Sequence, residues 1–157
     1  MLFDGVSEFM KCATFPLEQP TQIYIVFKQI TWSSSDKVFD GNINNAGALY
    51  QSILTPTIRT SAGADSNYDD KLVLDTWGIV RVLFSGASSE LIINEETTIT
   101  GDSGLNDMDG FTLGASGGNI SWGNIEVKEV ILRSIADTPT NELVIYNYLK
   151  DKYSLPI

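Results

Sequence analysis

Ligand-binding chemistry in this chain is concentrated where aromatic side chains stand among amides, hydroxyls and charges. Trp32 lies beside Ser33-Ser34-Ser35-Asp36, Tyr50 follows Asn42, Asn44 and Asn45, and Tyr68 sits in the acidic stretch Asp65 to Asp70 with Arg59 shortly before it. An aromatic ring offers a flat face to the C–H surface of a sugar, while planar amide, carboxylate and guanidinium groups bond its hydroxyls in pairs. Trp32, Asn44, Asn45, Tyr50, Arg59 and Tyr68 are therefore the candidate ligand contacts, and the chemistry they suit is carbohydrate recognition. Plainer roles remain open to them, Tyr50 as an ordinary strand residue and Trp32 as a rim residue.

The same acidic stretch supplies hard oxygen ligands at alternating positions, as a calcium loop does, which makes Asp65, Asn67 and Asp69 candidate metal ligands. The match is partial, since Asp70 stands where the turn glycine belongs and Thr76 where a bidentate Glu would be. Asn106-Asp107-Met108-Asp109-Gly110 is a second acidic turn and fits an Asp-Gly connection equally well. Calcium is the one cofactor the sequence suggests, and a solvated turn is the simpler reading of either loop.

Histidine is absent, which removes the usual imidazole general base and the Ser-His and Cys-His nucleophile pairs. Ten basic against twenty acidic residues give a net charge of −10; that field repels a phosphate backbone, and no cluster of Lys and Arg offsets it. Nucleic acid is not an expected partner. Cys12 is the only cysteine, so no intrachain disulfide forms, and it reads as a small buried hydrophobe. The longest apolar run, Ile23 to Phe27, is too short to span a bilayer, and Met1 to Gly5 lacks the pattern of a secretory signal. A soluble chain, or a piece of a longer one, is expected, without membrane insertion.

The elements that would position these residues are strands. With 157 residues, 43% of them apolar and 19% charged, the chain suits one globular domain over residues 1–157. Thr21 to Ile30 is β-branched and aromatic with Ile23, Ile25 and Phe27 on one side. Trp77 to Phe84 carries Val80, Val82 and Phe84 on one face and Ile79 and Leu83 on the other, the mark of a central strand covered twice. Gly86-Ala87-Ser88 turns it into Ser89 to Glu95. Shorter strands are expected at 37–40, 48–53, 57–60, 97–100, 111–114 and 125–132, with 61–70 as a surface loop. One helix closes the chain: Thr138 caps it, Pro139 takes its first position, and Leu143, Ile145, Tyr148 and Leu149 form its apolar stripe. Tyr146, Tyr148 and Tyr153 are expected to seat it, and Trp77 and Trp122 to pack in the core. The class is all-β, a two-sheet antiparallel jelly-roll sandwich with a short C-terminal α-helix.

Phe3-Asp4-Gly5, Trp77 with Val80, the aliphatic strand Leu91 to Asn94, Leu113-Gly114, and Glu129-Val130-Ile131-Leu132 feeding the cap Thr138 occur in an order and spacing that resemble the concanavalin A-like lectin and glucanase superfamily, the laminin-G-like jelly rolls. Glu95 departs from it, standing where a Gly usually follows the Asn, and so does Ile125, where a Gly often precedes the last strand. The wording Phe84-Ser85-Gly86-Ala87-Ser88-Ser89, then Thr100-Gly101-Asp102-Ser103-Gly104, is similar to modules of bacteriophage tail and other virion proteins. Glycoside hydrolases of this scaffold carry two cooperating carboxylates on one strand face. Here Glu126 and Glu129 are an odd number of residues apart and by alternation point to opposite faces. No catalytic residue is expected. The resemblance implies a non-catalytic module on a virion or outside a cell, binding a glycan or cell-surface receptor. The alternatives are a structural decoration domain that contacts other virion proteins, or an accessory module of a secreted enzyme; a homo-oligomer suits either virion role.

Overall fold

Along β3 (Thr21–Gln29), Ile23, Ile25 and Phe27 alternate with Tyr24 and Val26, and all five are fully buried, so both faces of the strand are covered. The computed structural model, which describes residues 1–157, shows what covers them. One sheet places β3 centrally in the order β1 (Leu2–Asp4), β12 (Asn124–Arg133), β3, β8 (Trp77–Phe84), β9 (Ser89–Ile93) and β10 (Ile99–Gly101). The other runs β2 (Met10–Lys11), β11 (Thr112–Leu113), β4 (Lys37–Asp40), β5 (Ala46–Gln51), β6 (Ile58–Ala62) and β7 (Asp65–Asp69). Every pairing between these strands is antiparallel.

Between the sheets lies the main core, built from Ile23, Ile25, Phe27, Val80, Val82 and Phe84 of the first sheet against Phe39, Leu49 and Ile58 of the second. A second, smaller cluster lies on the outer side of the first sheet, where Tyr24, Val26 and Ile79 meet Tyr146 and Leu149 of α1 (Pro139–Tyr153). The two-faced pattern of β8 thus reflects a sandwich on one side and a helix on the other. Gly114 keeps the turn after β11 open for Phe3: its φ is +79°, and a Cβ there would lie 2.5 Å from the Phe3 ring.

A buried polar link also ties the sheets together. Gln51 Nε2 donates to Gln29 Oε1 at 2.9 Å, and Gln29 Nε2 donates to the Leu72 carbonyl at 2.9 Å. Gln51 Oε1 in turn accepts from Ser33 N at 2.8 Å. These amides sit among apolar neighbours with their hydrogen-bonding capacity used, as buried polar groups require.

Several expectations need correction. Residues 61–70 are not a loop: β6 turns through Gly63-Ala64 into β7, an edge strand whose composition hides its pairing. The helix is capped as expected, Thr138 Oγ1 accepting from Asn141 N at 3.3 Å, but its buried residues are Tyr146 and Leu149. Leu143 and Tyr148 are 57% and 47% exposed. The helix carries apolar side chains around much of its circumference, so hydropathy alone does not choose the docked face. Cys12 is exposed. Trp77 and Trp122 are half-buried rather than core residues; Trp77 lies on the helix side of the first sheet with Lys128 Nζ 4.3 Å from its ring centre.

Alternation also fails in β12. The register runs Glu126 opposite Lys28, Val127 opposite Phe27 and Glu129 opposite Val26, which leaves Lys128 as an extra, bulged residue. Glu126 and Glu129 therefore share the outer face. Each is held by a lysine, Glu126 by Lys28 at 3.0 Å and Glu129 by Lys152 at 2.8 Å.

Candidate functional site

The outer face of the second sheet is not covered by the helix, and on it Lys37, Tyr50 and Arg59 form one row across β4, β5 and β6. Tyr50 points outward because its neighbours Leu49 and Gln51 point into the sandwich. The Lys37 Nζ lies 3.5 Å from the centre of the Tyr50 ring, and the Arg59 guanidinium carbon lies 4.5 Å from it. Tyr50 OH donates to Asp65 Oδ1, Arg59 pairs with Asp65 Oδ2 at 3.2 Å, and Arg59 Nη1 donates to Tyr68 OH at 3.1 Å. Lys37 Nζ donates to Asn45 Oδ1 at 2.7 Å.

These groups border a cleft of about 210 Å3, walled on one side by Asn44 and Asn45 and on the other by Ile120 and Ser121. Both walls are built by the second sheet. Asp40 is buried at the end of β4 and its carboxylate accepts from the N–H groups of Gly41, Asn45, Ala46 and Gly117, at 2.9, 2.9, 3.1 and 3.1 Å. One side chain thereby fixes both the 41–45 loop and the segment leading to Ile120. Lys37 N donates to the Ser121 carbonyl at 2.9 Å, which docks that segment along β4.

Electrostatics distinguish Lys37 from the other basic residues. Only 4% of it is exposed, and burial pushes its ammonium down to about 8, against the through-space pull of Asp40 and Asp65. Neither carboxylate reaches it as an ion pair; its contacts are an amide oxygen and a ring face. Burial likewise raises the Tyr50 phenol, helped by its bond to Asp65, so it stays protonated. Arg59 Nε is enclosed with no hydrogen-bond partner.

Of the residues singled out from the sequence, Asn44, Asn45, Tyr50, Arg59 and Asp65 come together at this cleft. Tyr68 borders the cluster through Arg59 and is 48% exposed. Trp32 does not join them: it is half-buried on the β3–β4 connection, with Nε1 enclosed and unpartnered. The expected open stacking platform at Tyr50 is absent, because the Lys37 and Arg59 cations both lie over the ring. The three candidate calcium ligands diverge: Asp65 is bound to Tyr50 and Arg59, Asn67 is buried against Ser66 and Ser103, and Asp69 accepts from Lys71 N. The left-handed backbone at Asn67 (φ +51°) breaks the alternation that would have aligned them. No group of three or more acidic or thiol side chains converges on a metal-sized site.

Lys37 was not among the expected residues. It is two positions from the core residue Phe39, so simple alternation turns it inward; a register shift between the two sends it to the outer face.

A larger groove of about 750 Å3 lies at one end of the sandwich, between the β5–β6 turn, the end of β7 and the β9–β10 turn. Ile53 and Leu54 are each 72% exposed there, and Asp69, Asp70 and Glu96 rim it.

Two six-stranded antiparallel sheets with this order and a C-terminal helix make the chain a two-sheet jelly-roll sandwich. Similar solved structures are Trypanosoma rangeli sialidase (TM-score 0.69, 10% identity, 99% of this chain and 28% of that one), a native heptameric SAP-like pentraxin from Limulus polyphemus (0.59, 16%, 87% and 76%), and a human galectin-16 variant (0.51, 11%, 85% and 99%). At these identities the likeness is one of fold, and the chain spans little more than a quarter of the sialidase. No protein-family model and no curated protein sequence matches it.

Proposed function

We propose that this chain is a non-catalytic glycan-binding module whose ligand enters the cleft beside Lys37, Tyr50 and Arg59. The observation that carries the reading is convergence: residues from four strands and three loops bring amides, a carboxylate and two cations to one cleft on the uncovered sheet. Paired polar groups held rigidly on a scaffold suit a polyhydroxylated ligand. The cleft is below the ~300–1,000 Å3 typical of drug-sized sites, so it takes one sugar ring or a chain end. Lectin-type neighbours such as the galectin and the pentraxin are consistent with this class. With two cations over the Tyr50 ring, recognition runs through hydrogen bonds and charge, with no part for calcium. A non-catalytic role is favoured because the two carboxylates of β12 are each neutralised by lysine.

The setting we propose is a phage tail or other virion surface, or another extracellular site. There, many copies acting together turn weak single contacts into firm attachment to a glycan or cell-surface receptor. Its support is the wording of 84–89 and 100–104. A glycan array run with calcium and again with chelator tests the reading: binding in both conditions supports it, and no binding to any glycan overturns it. Turnover of a bound glycan overturns the non-catalytic part.

A second reading, an assembly domain that binds other virion proteins or its own copies, is favoured by Ile53 and Leu54. Two aliphatic side chains so fully exposed in one groove suit a protein contact. Self-association abolished by Leu54→Asp, in a chain that binds no glycan, selects this reading.

A further inference from the structure

Resting on the glycan-binding reading, we infer that the cleft beside Lys37 selects sugars that carry a carboxylate, with the Lys37 ammonium and the Arg59 guanidinium as the groups that receive it. Both cations lack partners: Lys37 a carboxylate, Arg59 an acceptor at Nε. A lysine this buried is ordinarily matched by a carboxylate, because an uncompensated ammonium out of water is costly. Lys37 has none within ion-pairing distance: its nitrogen bonds the Asn45 amide and leans on the Tyr50 ring, with donor capacity to spare. Arg59 pairs with Asp65 through Nη1 alone, while its Nε has no partner.

The cleft beside them already offers the uncharged part of such a site. Asn44, Ser35 and Ser121 line it and suit ring hydroxyls. A carboxylate is the complement that satisfies spare ammonium donors in a low-dielectric setting, and charge-assisted bonds are the strong ones. Selectivity for an anion is unexpected in a chain of net charge −10, which makes a local cationic pair the more distinctive.

The groups facing the Lys37 nitrogen are Asp40 on its own strand, Tyr50 on β5, Arg59 on β6 and Asp65 on β7. Tyr50, its phenol pushed up by burial, and Arg59 keep their protons through the neutral and mildly alkaline range. Lys37 is then the member of the row whose charge changes near pH 8. Carboxylate binding requires the protonated form, so affinity for an acidic sugar falls as pH rises through that range, whereas affinity for a neutral sugar does not.

The test is an array of matched pairs, each uronic-acid or sialylated glycan beside its neutral counterpart, probed with the full chain at pH 6.5 and pH 9.5. The expected result is a preference for the acidic member of about tenfold, the size of one charge-assisted hydrogen bond, shrinking at the higher pH. Lys37→Gln should abolish the preference, Lys37→Arg should keep part of it, and Lys71→Ala, outside the cleft, should leave it intact. Where Lys37→Gln fails to fold, the pH series on the native chain decides. Equal binding of acidic and neutral partners overturns this inference and leaves the glycan-binding reading standing; silence across the whole array overturns both.

Discussion

The Lys37 nitrogen lies 3.5 Å from the centre of the Tyr50 ring, and the Arg59 guanidinium carbon lies 4.5 Å from the same centre. A cation on a desolvated aromatic face gains up to about 2 kcal/mol, so the ring holds two like charges that would otherwise repel. Tyr50→Leu should therefore lower stability by about 3 kcal/mol or more, beyond what lost area explains. Tyr50→Phe, which keeps the ring and loses the bond to Asp65, should cost about 1 kcal/mol. Urea unfolding of the two variants separates these contributions.

The Lys37 ammonium titrates near 8 in the folded chain and at its ordinary value, about 10.5, in the unfolded one. Between those values the unfolded state holds more protons, so stability contributed by this site rises with pH across the window. Lys37→Met removes that slope. The difference in unfolding free energy between native chain and variant should shift by about 2 kcal/mol between pH 7.5 and pH 10, a magnitude set by the size of the displacement. An unchanged difference across this range would show the ammonium to be better solvated than its surroundings imply.

Gln29→Leu should cost about 1–3 kcal/mol, because it leaves Gln51 without its buried partner. The double variant Gln29→Leu, Gln51→Leu should cost less than the sum of the singles, since no orphaned amide remains between these two positions. Chemical denaturation of the three variants supplies the cycle.

Leu149→Ala should destabilise by about 2–5 kcal/mol and loosen the helix. Leu143→Ser, on the exposed side, should lie within about 0.5 kcal/mol of the native chain. Amide hydrogen exchange along 139–153 would show the first and not the second.

Added calcium should leave the melting temperature unchanged, because Asp65, Asn67 and Asp69 point to different neighbours. A calcium-dependent rise of several degrees in a thermal-shift series would mean that β7 rearranges to gather them.

What the sequence made legible follows from how local each signal is. The inner and outer sets of β3 and β8 were readable because alternation needs only neighbouring residues, and both sets are strongly apolar. The helix cap was readable for the same reason, in Thr138 and Pro139. The docked face of the helix was not, since Tyr146 is selected by Tyr24 and Ile79, which are remote in sequence. β7 was hidden because Asp, Ser and Asn are turn formers in isolation and become a strand here through pairing with β6. At the cleft, the chemical types of Asn44, Asn45, Tyr50 and Arg59 were readable, while Lys37 was not. Register shifts at residues 38 and 128 invert the facing of Lys37 and Glu129, and nothing within either strand announces them.

The terminal helix and the cleft occupy opposite broad sides of the sandwich. Whatever this chain is fastened to, attachment through the helix leaves the cleft directed outward. Copies mounted that way would face one plane with the same orientation, ready to engage a carpet of sugars together rather than singly.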